Sequence, residues 1–416
     1  MTDTVPETQR PPVQDWATDF DHTHPDYAAA APEVWDDLRE RCPVAHTERF
    51  GGAWLPTKAA DVRAVAEDTE HFTSNSVIVS DFRPPPELAP RGFAPPITSD
   101  PPFHQEARRL LLPPFSPKAI AEWEQTTRET CRQLLDEIEA ELAAGDGTTD
   151  AAVTYTSHIP VRIIAKMLDL PEEDGDRFRV FISRILETPG QNGEIDPGET
   201  LQAYLVEKIS DRREGGRRGD DLVSYLLDVT DDDGNPLSNE HIFGTIALLL
   251  IAGIDTTWSA IGASLWHLAQ HPEDRRRWVE DPDVRQFAVE EFLRFYAPVT
   301  MARLVAEDHE IGGCPVSKDD WVLLPFPAYN RDPEAFDQAD EFVIDRSRNR
   351  HSAFGLGIHR CLGSNLARME LSVAVEEWMD RFPDFELCDP DTVRWSTGQV
   401  RGPRCLPVRV LGDGAA

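Results

Sequence analysis

Residues Asn239–Gln270 read as one uninterrupted helix, and that element sets the scale of anything this chain can fold into. Ser238 is suited to cap its amino end, and His271-Pro272 stops it. At 1.5 Å per residue the helix is roughly 48 Å long, enough to cross a domain built from most of the 416 residues. A single large domain over 31–416 is therefore expected, although length alone would suggest about three. Further helical patterns fall at about 118–144, 160–170, 174–187, 199–213, 220–230, 272–279, 283–296 and 362–381. Residues 299–326 alternate like strands around a turn at Gly312-Gly313, 327–353 are irregular, and short strand candidates close the chain. The expected fold class is mainly α with minor β. Residues 1–30 read as a loosely held arm, and the proline-dense stretch 76–103 as a lid or binding loop.

Composition narrows the function. A net charge of −34 argues against a nucleic-acid partner. The amino terminus is polar and proline-rich, unlike a signal peptide. No unbroken apolar run reaches the roughly 18–20 residues of a membrane span. The expectation is a cytoplasmic protein with no membrane partner. Six cysteines are scattered without a CxxC pair, so spacing offers neither a zinc site nor a ferredoxin-type cluster.

One cysteine has special neighbours. Phe354-Gly-Leu-Gly-Ile-His-Arg-Cys361-Leu-Gly363 has the form F-x-x-G-x-x-x-C-x-G, four fixed positions that coincide by chance at on the order of 10⁻⁵ to 10⁻⁶ of starting points. Gly357 permits a tight turn, Gly363 a close approach of the following helix, and Phe354 packing over the loop. The helix that starts after Cys361 turns its positive end towards the sulfur and favours a thiolate. A lone cysteine is otherwise usually a buried, inert thiol. Ala252-Gly253-Ile-Asp255-Thr256-Thr257 is unusual in another way. An acid, a hydroxyl and a glycine interrupt an apolar helix, each at a cost. The plain alternative is a threonine bonding its own i−4 carbonyl beside a solvent-facing aspartate.

The cysteine segment resembles the haem-ligand loop of the cytochrome P450 family, and the likeness extends over most of the chain. The resemblance implies a triangular, helix-rich haem domain with small β-sheets. It implies haem b ligated through iron by Cys361, with Ala252 and Gly253 on the helix crossing the opposite haem face. Thr256 would hydrogen-bond the dioxygen being activated, and Asp255 would relay protons. His104 and Arg108, on one helix face at i, i+4, Arg303 and His359 match positions that bind the haem propionates; the plain alternative for each is a surface cation in a solvated pair. Glu291 and Arg294 match a buried pair that holds the ligand loop. The family usually adds an arginine just before an aromatic residue, but here Glu341 precedes Phe342, leaving Arg346 or nothing as the third member. Arg109 and Arg360 are expected on the proximal face, where a redox partner would dock.

The activity implied is monooxygenation of a small, mostly apolar substrate by hydroxylation, O-dealkylation or sulfoxidation. A pocket is expected from Phe82, Phe93, Ile97, Leu249, Val299 and Met301. A finer likeness, in Phe295–Leu304, Gly357–Glu370 and Gln399–Arg404, points to self-sufficient bacterial members fused to an FMN/2Fe–2S reductase. It implies aryl ethers, thioethers and herbicide-like substrates. Electrons from NAD(P)H would arrive through such a module or a ferredoxin, neither bound by this chain. A peroxide-driven peroxygenase and a non-catalytic haem sensor are the alternatives; both have little use for the Asp255–Thr256 pair.

Overall fold

The computed structural model describes residues 11–411 except 82, 188–195 and 217–218. Its first half holds α1 (Pro25–Arg41), α2 (Ala59–Glu67), α3 (Phe103–Leu111), α4 (Pro117–Ala121), α5 (Glu124–Ala144), α6 (His158–Leu168), α7 (Gly175–Leu186), α8 (Leu201–Glu214) and α9 (Leu222–Asp228). The second half adds α10 (Asn239–Gln270), α11 (Pro272–Glu280), α12 (Arg285–Phe295), α13 (Phe326–Asn330) and α14 (Ser364–Arg381). The helix expected at 118–144 divides because Ser116 caps α4 separately, its side chain accepting from the Ala119 N–H, and the chain turns at Glu122-Trp123 before α5.

The central rod has the bounds its sequence implies, and the Ser238 hydroxyl accepts from the His241 N–H at 3.2 Å. By length and composition α10 could cross a membrane, contrary to the expectation drawn from unbroken apolar runs. Its most apolar window is instead 61% buried inside the protein, where Ile246, Leu250, Ile254, Ile261 and Leu265 are enclosed. Apolarity all round is what a core helix requires.

The β structure comprises β1 (Val44–Thr47), β2 (Ala53–Pro56), β3 (Phe72–Thr73), β4 (Thr148–Asp150), β5 (Thr300–Val305), β6 (His309–Ile311), β7 (Cys314–Val316), β8 (Trp321–Pro325), β9 (Phe385–Leu387), β10 (Arg394–Trp395), β11 (Pro403–Cys405) and β12 (Pro407–Val410). A five-stranded sheet in the order β1-β2-β8-β5-β3 flanks the helical body; β5 and β8 run antiparallel with Arg303 opposite Val322. A three-stranded sheet β4-β12-β9 ties the carboxyl end to the segment between α5 and α6.

The amino-terminal arm is not loose over its described part. Phe20, Asp21, His22 and Thr23 are buried, Arg49 donates to Asp19 and Asp21, and the Gly398 N–H donates to the His22 carbonyl. Phe20 joins Trp35, Leu38 and Trp321 in one apolar cluster, and burying that ring outweighs the ordering cost of the segment.

Candidate active site

The cysteine loop is shaped by backbone geometry only glycine adopts readily. Gly357 has φ +65°, and a Cβ there would lie 2.8 Å from the Ala66 carbonyl at the end of α2. The Cys361 N–H donates to the Phe354 carbonyl at 2.7 Å, and the Arg368 guanidinium covers the Phe354 ring at 4.4 Å. Gly363 differs from expectation, because a Cβ on it would meet the Cys361 Sγ at an ordinary 3.9 Å. Its contribution is the backbone N–H it presents to the sulfur at the start of α14. Cys361 opens onto an internal cavity, yet the surrounding protein is dense enough to push its thiol pKa up. The Gly363 N–H and the charges of Arg108, Arg360 and Arg368 oppose that rise and favour the thiolate.

Behind the loop, Glu291 and Arg294 form a fully buried two-pronged pair at 2.7 and 2.8 Å. The third place belongs to Arg346, whose Nε donates to both Glu291 oxygens at 3.1 and 3.0 Å. Glu341 contributes its backbone carbonyl, which accepts from Arg294 at 2.6 Å, while its side chain faces outward and accepts from Gln338. Glu291 is thus held by two arginines, Arg294 and Arg346.

The facing wall of the cavity is α10, where Ala252, Gly253, Thr256 and Thr257 line the same space as Cys361. The Thr256 hydroxyl donates to its own i−4 carbonyl, Ala252, at 2.9 Å, so that half of the plain alternative holds for its hydrogen bond. Gly253 lets α6 approach, since a Cβ would sit 3.2 Å from the Ile164 side chain. Asp255 is neither solvent-facing nor on the cavity wall. It is buried on another side of α10, where Arg404 Nη2 donates to its Oδ1 at 2.6 Å and its Oδ2 has no partner among the described residues. Arg404 also donates to Glu187 at 2.5 Å and to the Ser259 hydroxyl at 3.0 Å. Burial raises the Asp255 pKa to about 7 against the pull of Arg404. Sequence reasoning missed both Arg404, which closes the Gln399–Arg404 run, and Glu370 on α14. Glu370 is buried, engages the Thr257 hydroxyl, and is raised by burial to about 8.

His104, Arg108, Arg303 and His359 converge on one side of this cavity. The His104 and His359 rings meet edge to face at 4.4 Å, and Ser74 Oγ lies 2.9 Å from His359 Nε2. Burial, with the neighbouring arginines, drives His104 down to about 4 and His359 to about 2, and burial lowers Arg303 to about 10. Both ring nitrogens of His104 are buried without a hydrogen-bond partner. Four basic side chains and an orphaned imidazole facing one space fit the anionic propionates of a haem.

Of the expected pocket residues, Ile97, Leu249, Val299 and Met301 line the cavity. Phe93 does not: its side chain is 53% exposed, because Gly244 brings the Phe93 backbone against α10 and turns the ring outward. Phe82 lies outside the described residues. Arg109 is exposed and paired with Asp232, and the Arg360 carbonyl accepts from Arg108 at 2.6 Å.

The cytochrome P450 family model matches residues 177–399, and the chain belongs to the cytochrome P450 family. The mycinamicin IV hydroxylase/epoxidase of Micromonospora griseorubida is 33% identical over 90% of this chain and 94% of its own. The vitamin D(3) 25-hydroxylase of Pseudonocardia autotrophica is 34% identical over 94% of each. Among solved structures, the bacillaene polyketide synthase cytochrome P450 PksS of Bacillus subtilis superposes with a TM-score of 0.82 at 30% identity, covering 94% of this chain and 99% of that one. The triangular, helix-rich haem-domain fold with small sheets is thereby shown, as are the oxidoreductase class and haem b as the family cofactor. The likeness to reductase-fused members finds no support: these relatives align over nearly their whole lengths with no room for an FMN/2Fe–2S module.

Proposed function

We propose that this chain is a cytoplasmic haem-thiolate monooxygenase that inserts one oxygen atom of dioxygen into a mostly apolar substrate, with Cys361 as the iron ligand. One observation carries the assignment. Cys361 and Thr256 line one cavity from α14's loop and from α10, with His104, Arg108, Arg303 and His359 gathered beside it. Haem b bound there would supply oxygen activation, with electron density from the thiolate.

The chain's own residues do the rest. Arg108, Arg303, His104 and His359 would hold the propionates, with Cys361 available as the iron ligand. Thr256 presents its hydroxyl on the cavity wall, and Asp255, one residue earlier, is a buried carboxyl paired with Arg404 whose pKa burial raises, placed to supply protons. Ile97, Leu249, Val299 and Met301 exclude water and seat the substrate by apolar contact. Electrons come from NAD(P)H through a separate redox protein that docks beside Arg109 and Arg360. The relatives' names, mycinamicin IV hydroxylase/epoxidase and vitamin D(3) 25-hydroxylase, favour hydroxylation over the O-dealkylation and sulfoxidation implied by the fused members.

The test is the absorption spectrum of the reduced, carbon-monoxide-bound protein. A Soret band at the thiolate-ligated position, lost in Cys361→Ser, is expected. A histidine-type spectrum, or a Cys361→Ser variant with normal turnover, overturns the assignment. Turnover with a reductase and NAD(P)H exceeding that with peroxide excludes the peroxygenase alternative.

A further inference from the structure

Asp68, His71 and His309 meet outside the cavity. Asp68 follows the last residue of α2, His71 precedes β3, and His309 opens β6. Asp68 Oδ1 accepts from the backbone N–H groups of Glu70 and His71, both at 3.0 Å, which fixes the carboxylate. Its Oδ2 then lies 2.8 Å from His71 Nδ1 and 4.0 Å from His309 Nε2. The two imidazoles stack with centroids 4.1 Å apart and planes 20° from parallel. Phe72 packs edge-on against His309, and the Phe72–Val305 pairing of β3 with β5 holds the two segments together. The His309 ring makes no hydrogen bond among the described residues.

These three donors have the spacing and chemistry of metal ligands. With bonds of about 2.0–2.1 Å in a tetrahedron, neighbouring ligand atoms stand about 3.3 Å apart. The separations of 2.8 and 4.0 Å straddle that value and all three donor atoms lie within 4.8 Å of one another; to bind one ion the partly exposed His309 ring must also turn out of its stack with His71, so that Nε2 aims at the metal. Two imidazoles and one carboxylate suit zinc rather than magnesium or calcium, which prefer oxygen ligands. The sequence around them is acidic: Glu67, Glu70, Glu307, Asp308 and Glu310 flank the ligands, against Arg63, Arg303 and Lys318 just beyond, of which Arg63 is paired with Glu67.

We propose that Asp68, His71 and His309 form a zinc site with water in the fourth position, distinct from the haem cavity. Its work is structural. The ion cross-links the end of α2, the turn into β3 and the β6–β7 hairpin. The end of α2 backs Gly357 of the cysteine loop, and β3 leads into Ser74, which contacts His359. The site therefore braces the wall behind the loop.

The experiment uses the haem-loaded chain, stripped with a chelator and titrated with zinc, followed by calorimetry, thermal unfolding and zinc-edge X-ray absorption. One zinc per chain with micromolar affinity, imidazole scattering near 2.0 Å and a raised Tm are expected. His309→Ala should weaken binding by at least about 100-fold, beyond the 10–100-fold cost of losing an outer-shell partner, and abolish the Tm shift. His309 is exposed enough that the variant should keep its carbon-monoxide spectrum, which separates this site from the haem assignment. Wild-type protein that takes up no zinc, or a His71→Ala/His309→Ala double variant that binds as tightly as wild type, overturns the proposal.

Discussion

Replacing Arg346 by alanine tests whether it has taken over the place at which Glu341 stands instead of the family's usual arginine. Arg346 reaches both oxygens of the buried Glu291 carboxylate and donates to the Asp337 and Gln338 carbonyls at 2.6 and 2.9 Å. Hydrogen bonds to a charged group contribute about 1.5–3 kcal/mol each and do not add simply. Leaving a buried charge wholly unpaired costs about 3–5 kcal/mol. Glu291 would keep Arg294, the Val343 N–H and the Asn349 amide, so the loss should fall at about 2–4 kcal/mol. Glu341→Ala removes only an outward side chain whose carbonyl still accepts from Arg294, and should stay within about 0.5 kcal/mol of wild type. The assay is urea unfolding of the haem-loaded chain, with haem retention measured in parallel. Arg346→Ala as stable as wild type, or Glu341→Ala as damaging as Arg346→Ala, would refute the reasoning.

The titration of Glu370 gives a second expectation. Its folded pKa is raised above the unfolded value, so the folded state keeps a proton that the unfolded chain releases, and stability falls as pH climbs from about 4.5 to about 8. The shift corresponds to at most about 5 kcal/mol. Glu370→Gln should match wild type near pH 5, exceed it by a few kcal/mol near pH 8, and flatten the curve; parallel stability curves would sink this account. Asp255→Asn should leave the carbon-monoxide spectrum intact and lower turnover by on the order of 10²-fold, the usual contribution of a positioned acid. Product formation unchanged per NAD(P)H consumed would remove Asp255 from proton supply.

The parts of the fold legible in the sequence were those governed by local rules. The bounds of α10 follow from a serine cap, an apolar run and a His-Pro stop, all within the segment itself. The cysteine loop was legible because its glycines answer to a backbone need at Gly357 that no other residue meets as well. What escaped depends on contacts between distant segments. Phe20 gave no sign that it would be buried with Trp321, some 300 positions away, so the arm read as loose. Phe93 read as a pocket residue because composition cannot say which side of a loop faces inward. Arg404 and Glu370 stood within quoted runs, yet their partners, Asp255 and Thr257, lie on α10 far earlier in the chain.

Arg404 and Glu370 account for the polar interruption of α10. A polar stretch in a core helix is tolerable only if its groups find partners, and here they find them on different sides. Thr256 turns to the cavity, Asp255 to Arg404 and Glu187, and Thr257 to Glu370. Two buried carboxyls are therefore held on different sides of α10, and burial raises the pKa of each. They differ in connection. Glu187 and Arg404 link Asp255 towards the end of α7, where Glu187 is partly exposed, whereas burial encloses Glu370 within α14. Arg404, a permanently charged guanidinium, holds Asp255 and Glu187 together and does not pass protons between them. Asp255→Asn is accordingly read in turnover, and Glu370→Gln in stability against pH.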